Sequence, residues 1–199
     1  MRRTSDTRPP TRSDAEDTLR VFFALWPDVG ARDALAVLAR DVAARRQGRA
    51  AVAGNLHMTL AFLGDVGTAR ITALHAIGAA AASAVSPFTL TLDQVGAFRG
   101  AGITWAGTSA PPTGLLQLVQ RLGDALAAEG FAIERRAFHP HLTLARRCRR
   151  PGSRSITTQI AWIVARMTLH ASELSSAEPR YLELAGWPLG MRAVDDQVS

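Results

Sequence analysis

Short apolar runs alternate with longer amphipathic ones through the middle of this chain, and polar stretches flank them on both sides. Leu19 to Trp26 (LRVFFALW) is rich in aromatic and branched residues and stops at Pro27, as a buried strand would. Asp28 then offers a side-chain cap for a helix to about Arg46, in which Leu35, Leu38 and Val42 recur at helical spacing. His57 to Leu63 predicts a strand closed by Gly64-Asp65, and Ala69 to Ala84 a second helix. Phe88 to Leu92 (FTLTL) alternates with the period of a strand, and Ile103 to Ala106 is a suitable partner for it. Pro112 opens a third helix with an expected apolar stripe of Leu115, Leu116, Val119, Leu122 and Leu126, ended by Gly130. His141 to Ala145, Ala161 to His170 and Arg180 to Ala185 complete the strands. Residues 1–18 and 192–199 are polar and aperiodic, so they are expected to be disordered tails around one domain over 19–191.

Two of the predicted strands begin with the same tetrapeptide pattern, H-x-T-L: His57-Met58-Thr59-Leu60 and His141-Leu142-Thr143-Leu144. With five histidines in the chain, chance placement yields on the order of a few hundredths of one such pattern. A single His-x-Thr on a strand is ordinarily structural; two matching copies reverse that reading. Each copy follows a predicted helix, which suggests two similar α+β lobes related by a pseudo-two-fold axis, with the motif strands facing each other across a cleft. Strand side chains alternate between faces. His57 and Thr59 would therefore share one face, as would His141 and Thr143, while Met58, Leu60, Leu142 and Leu144 anchor the strands on the other.

Two imidazoles and two hydroxyls in one cleft suit an in-line displacement at phosphorus. One neutral histidine removes a proton from attacking water, and the other, protonated, supplies one to the departing oxygen. The threonine hydroxyls can donate hydrogen bonds to phosphate oxygens as charge builds on them. A reference pKa of about 6.5 leaves both imidazole forms available near neutrality. No metal is required by this chemistry. His139-Pro140-His141 does resemble a metal-binding H-x-H pair, but a catalytic metal needs a third ligand and no carboxylate is obviously paired with the segment. His75 and His170 read as structural or surface residues, and Phe22, Phe23 and Trp105 as core aromatics with the alternative of stacking on a base.

At 199 residues, 47% hydrophobic and 20% charged, the composition is that of an ordinary globular protein. No apolar run approaches the ~20 residues needed to span a bilayer. Arg2-Arg3 is not followed by an apolar segment, so no export signal is read at the start, and a cytoplasmic protein is the expectation. A single cysteine, Cys148, excludes a disulfide framework and a cysteine zinc cluster. All 23 basic residues are arginine, and the net charge is +6. Genomic base composition accounts for much of that bias, but arginine is also the better residue for bidentate phosphate contacts, and a basic chain attracts polyanions. Arg146-Arg147-Cys148-Arg149-Arg150 follows the second motif directly. Strict alternation sets Arg146 on the face opposite His141, so it reaches the cleft only if the strand ends or bulges near Ala145.

These landmarks together resemble the two-histidine phosphoesterases, and within them the RNA 2',3'-cyclic phosphodiesterases once called 2'-5' RNA ligases. The resemblance rests on RVFFALWP (20–27), NLHMTLAFLGDV (55–66), FTLTLDQVG (88–96), Trp105, FHPHLTLAR (138–146) and RYLELAGWPL (180–189). It implies a bilobal α+β fold of two pseudo-symmetric lobes, each with an antiparallel sheet and helices, and an active site between them. It implies hydrolysis of a terminal RNA 2',3'-cyclic phosphate to a 2'-phosphomonoester with no cofactor and no metal. Carried over by motif position, His57 is the proton donor and His141 the proton acceptor. Thr59 and Thr143 hold phosphate oxygens, and Arg146, in the matching T-L-A-R position, assists them. The expected partner is RNA with a 2',3'-cyclic phosphate terminus, with no membrane involved, and the expected state is a monomer.

Overall fold

The computed structural model describes residues 17–133, 136–150, 152–173 and 179–191. Strand β1 (Thr18–Leu25) is followed by helix α1 (Val29–Arg46), a two-residue strand β2 (Arg49–Ala50) and β3 (Met58–Gly67). Then come α2 (Ile71–Ser83), β4 (Phe88–Phe98), β5 (Ile103–Gly107), α3 (Thr113–Ala128), β6 (His141–Arg146), β7 (Arg154–Val164), β8 (Arg166–Glu173) and β9 (Arg180–Pro188). The order β7-β4-β5-β6-β3-β1-β8-β9 forms one sheet, and every pair in it is antiparallel. Four strands belong to each half, and the two motif strands, β6 and β3, stand side by side in the middle. The α+β, two-lobed architecture is as the sequence implies. Its lobes share a sheet, so the motif strands are neighbours in that sheet.

The halves meet at a single register pair among the described residues, Met58 opposite Leu142. Both side chains are fully buried. They occupy the x position of the two H-x-T-L motifs, so the motifs meet at their equivalent residues. The same sheet face contributes Leu60 and Leu144 to the core, which the helices cover. Helix α1 crosses to β6 and β7, α2 lies against β8 and β9, and α3 touches β3 and β4. The opposite face is left to the histidines and threonines.

Local chemistry explains where the elements begin and end. Asp28 caps α1, its carboxylate accepting from the Ala31 N–H at 2.8 Å. β3 runs through Gly64-Asp65 to Gly67, because the register against β1 shifts there and Gly64 takes the left-handed φ of 70° that a bulge needs. β4 likewise continues past Leu92: its first half pairs with β7, and β5 pairs with its second half, Gln94–Phe98. Asp93 marks the change, accepting from the Ser109 N–H at 2.8 Å and from its hydroxyl. The stripe of α3 is Leu115, Leu118, Leu122 and Leu126, whereas Leu116 is exposed. The apolar face thus lies a little further round the helix than the expected set. The segment expected as one strand from Ala161 to His170 is two. β7 pairs with β4 and β8 with β1, and the chain passes between halves at Ala165, whose carbonyl accepts from the Leu189 N–H at 2.8 Å. Of the expected tails, 1–16 and 192–199 lie outside the described residues. Asp17 and Thr18 are part of the fold, Thr18 opening β1 and the Asp17 carbonyl accepting from Thr68 N–H. Among the described residues no helix is long and apolar enough to cross a membrane.

Truncating the seam should be costly and truncating the exposed leucine should not. Leu142→Ala is expected to lose about 2–5 kcal/mol, whereas Leu116→Ala stays within ~0.5 kcal/mol of the parent. Urea unfolding of the two variants measures the contrast.

Candidate active site

A cleft of about 290 Å³ opens on the face away from the core, over the meeting of β3 and β6. His57, Thr59, His141, Thr143 and Arg146 all line it, so the structure brings together every expected site residue. With Met58 opposite Leu142, antiparallel continuation sets His57 level with Thr143 and Thr59 level with His141. Each imidazole therefore has the other motif's threonine as its cross-strand neighbour.

Both rings are held in the same way. The Nδ1–H of His57 donates to the Asn55 carbonyl at 2.8 Å, and that of His141 to the His139 carbonyl at 2.7 Å. A carbonyl can only accept, so each neutral ring carries its proton on Nδ1 and keeps a lone pair on Nε2. The acceptor lies two residues upstream in both cases, and a buried residue, Leu56 or Pro140, stands between it and the histidine. On the His57 side a 3-10 turn, Ala53–Asn55, presents the carbonyl. The Asn55 amide donates onward to the Pro179 carbonyl at 2.9 Å, tying that turn to the lead-in of β9. Sequence reasoning passed over Asn55, although its place two residues before His57 repeats that of His139 before His141.

Arg146 reaches the cleft by the irregularity that alternation demands. β5 pairs Trp105 with Thr143 but Thr104 with Ala145, so Leu144 is an extra residue in β6. Leu144 and Ala145 are consequently both buried, and Arg146 emerges exposed on the histidine side. Strand β2 then covers this end of β6, with Arg49 opposite Arg146.

The surroundings of the two histidines differ. Phe22, Trp26 and Tyr181 enclose His57, with ring centroids 5.1, 4.9 and 5.0 Å away. His170 belongs to the same cluster, 4.8 Å from Trp26; it is buried, and its Nε2–H donates to the Thr168 hydroxyl at 3.1 Å. It is therefore nearer the site than its place in the sequence suggested, whereas His75 is an exposed helix residue. His141 has Phe98 on edge at 5.0 Å, and Trp105 packs beneath His139 at 4.6 Å. Of the aromatic candidates for stacking, Phe22, Phe23 and Trp105 are all buried. Tyr181 and Phe98 are the aromatic residues that line the cleft.

Desolvation is the main reason both cleft imidazoles favour their neutral forms. It lowers His57 to about 4, against the opposing Asn55 hydrogen bond and with help from the charges of His170, Arg146 and His141. Burial lowers His141 as well, opposed by the His139 carbonyl and assisted by His139 and Arg146. Burial pushes the Tyr181 phenol up, with Arg146 acting against it. Arg146 thus acts on three groups of the cleft. Among the described residues no group of three or more His, Cys, Asp or Glu side chains could hold a metal ion, so the His139/His141 pair gains no third ligand there.

Residues 26–178 match the model of the 2'-5' RNA ligase superfamily. An RNA 2',3'-cyclic phosphodiesterase of Escherichia coli is 34% identical over 175 residues, covering 85% of this chain and 96% of that protein. The crystal structure of E. coli LigT complexed with 3'-AMP superimposes with a TM-score of 0.80 at 32% identity, covering 88% of this chain and all of that one. LigT complexed with phosphate gives 0.76 at 31% identity, covering 88% of this chain and 99% of that one.

The imidazoles should report their burial directly. In proton–nitrogen correlation spectra, His57 is expected to titrate near pH 4 and His141 below the ordinary histidine value. Inorganic phosphate should move both upward, because an anion in the cleft stabilises the imidazolium. Two unshifted titrations near 6.5, indifferent to phosphate, would contradict the enclosed geometry.

Proposed function

We propose, from the premise that this chain belongs to the 2'-5' RNA ligase superfamily, that its cleft opens RNA 2',3'-cyclic phosphate ends to 2'-phosphomonoesters without a metal. The chain is an enzyme, a phosphodiesterase of that family. The observation that carries the finer reading is the pair of matched imidazoles, each bonded through Nδ1 to the carbonyl two residues back and lining one cleft with two threonines and an arginine. That arrangement suits one group that takes a proton and one that gives it, on opposite sides of a phosphorus atom.

In this reading His141 Nε2 accepts a proton from the attacking water. The water oxygen bonds to phosphorus as the bond from phosphorus to the 3' oxygen breaks, and His57 Nε2–H protonates that departing oxygen. Thr59 and Thr143 donate hydrogen bonds to the non-bridging oxygens, and Arg146 offsets the charge that builds on them. Burial holds His57 neutral near pH 7, so the donor gains its proton as the phosphodiester anion arrives. The sign then follows for catalysis. With both free-enzyme pKa values lowered, the form with one neutral and one charged imidazole is most populated on the acid side of 6.5. The kcat/KM profile is a bell centred there, with apparent pKa values that belong to the pair. Bound substrate raises the donor, so the kcat optimum lies at higher pH. The enzyme acts as a cytoplasmic monomer on the RNA end alone.

RNA with a 2',3'-cyclic phosphate terminus, incubated in EDTA, is expected to yield the 2'-phosphate. His57→Ala and His141→Ala should each lose about 10²–10⁴ in rate, and the double variant little more, because the two act as a unit. Replacing the departing oxygen by sulfur, a leaving group that needs no proton, should rescue His57→Ala and leave His141→Ala inactive. Rescue of the other variant would exchange the two roles. Activity lost only on chelation would favour metal-dependent hydrolysis, and turnover of joined RNA halves in place of cyclic ends would favour 2'-5' joining.

A further inference from the structure

The arginines beyond the second motif are not a loose charged run. After Arg146 the chain turns at Arg147, which has φ 56°, and its side chain also lines the cleft. Cys148 then points inward and is buried. Its N–H donates to the Gly102 carbonyl at 2.8 Å, and its sulfur accepts from the Thr104 hydroxyl at 3.4 Å. Glycine is required opposite it, since a Cβ on Gly48 would lie 2.6 Å from that sulfur. The N–H groups of Arg149 and Arg150 both donate to the Arg46 carbonyl, at 3.1 and 3.3 Å, and so close the C-terminal end of α1. The backbone is therefore fixed at each step, while Arg146, Arg147, Arg149 and Arg150 stay exposed. No ion pair is seen for any of these four among the described residues, unlike Arg45, paired with Asp41, and Arg166, paired with Glu183.

Like charges held this close on a fixed backbone repel one another, and a bound polyanion relieves that repulsion. The row begins inside the cleft, beside the imidazoles, and leads outward past the end of α1. The opposite wall, around His57, is closed by Phe22, Trp26 and Tyr181. A chain whose terminal phosphate lies between the imidazoles finds, among the described residues, a row of exposed arginines leading from Arg146 to Arg150. We infer that the Arg147–Arg150 loop is a binding track for the phosphodiester backbone upstream of the reacting end, so that the enzyme is built for oligonucleotides in preference to cyclic mononucleotides. This rests on the hydrolytic reading of the cleft. The track reads phosphates and not bases, so length matters and sequence does not.

The test compares 2',3'-cyclic AMP with cyclic-ended oligoribonucleotides of two to eight residues across a salt series. It uses the wild type and the Arg149→Ala/Arg150→Ala variant. For the wild type, kcat/KM should rise roughly tenfold or more with length and fall steeply with salt for the longer substrates only. The variant should lose most of that length gain, and its slope of log affinity on log salt should fall by about 1.4, from ~0.7 per lost single-strand contact. Its rate on the cyclic mononucleotide should be unchanged. Arg149→Lys/Arg150→Lys should keep the length gain, and matched melting curves exclude misfolding. Equal kcat/KM at every length, or equal losses on mononucleotide and oligonucleotide, overturns the track. Anisotropy of labelled oligonucleotides ending in a 2'-phosphate reads it without turnover. Length- and salt-dependent binding with no hydrolysis of any cyclic phosphate would thus refute the catalytic reading and keep the track. Hydrolysis of the mononucleotide with length-independent binding would do the reverse.

Discussion

Met58 and Leu142 face each other, fully buried, at the register pair that joins the two halves of the sheet. The rest of the site follows from that contact. Because side chains alternate, seating these two in the core obliges His57, Thr59, His141 and Thr143 to project from the other face. The register also brings each histidine level with the threonine of the other motif. A slip of one residue would turn one whole motif over, and burial of two large apolar side chains resists such a slip. The packing requirement and the chemical requirement are thus met by the same four residues of each strand. The repeat survives in the sequence because it is a repeat in the fold.

The two halves share a backbone device and differ in what surrounds it. Each imidazole is oriented by a carbonyl two residues upstream, which fixes the tautomer without a carboxylate. A carboxylate partner would raise the imidazole pKa strongly, whereas a carbonyl orients the ring and opposes desolvation only in part. Around His57, the rings of Phe22, Trp26 and Tyr181 pack within about 5 Å. Around His141, Phe98 lies on edge and Trp105 packs closer to His139 than to His141. The symmetric motifs therefore give chemically unequal histidines, a difference that nothing in H-x-T-L itself encodes.

Strand and helix positions were legible wherever a run was bounded by a residue with its own backbone chemistry, as at Pro27 and Asp28. They were less so where a bulge let a strand continue through polar residues, as at Gly64-Asp65 and Asp93. Alternation rules have no term for an inserted residue. The same limitation governed Arg146: counting positions sent it to the wrong face, and Leu144, the extra residue in β6, returned it. Asn55 acts through a backbone carbonyl, and only the repeat of its position by His139 hints at it; Tyr181 arrives from β9, distant in sequence. The two lobes were inferred from the repeat, but their union in one sheet depends on a single pair of residues, and no periodicity announces a single pair.

Arg146 both helps and opposes the chemistry, and this bears on where the other arginines lie. Its charge favours a bound phosphate, yet it lowers His57 and His141 alike, disfavouring the imidazolium that a proton donor needs. On the proposed reading, a bound phosphodiester would set its negative charge against both the arginine and the donor, and so favour protonation of the donor. On that reading proton uptake is coupled to arrival of the anion, most strongly at His57, the more deeply buried of the two. More cations within the enclosed wall would deepen the penalty on the donor. Exposed cations further along the loop attract a polyanion while water and salt screen their effect on the imidazoles. Of the arginines at the cleft, Arg146 is the one whose charge bears on both imidazoles, and the bulge at Leu144 and the burial of Cys148 set where Arg146 and the arginines after it emerge.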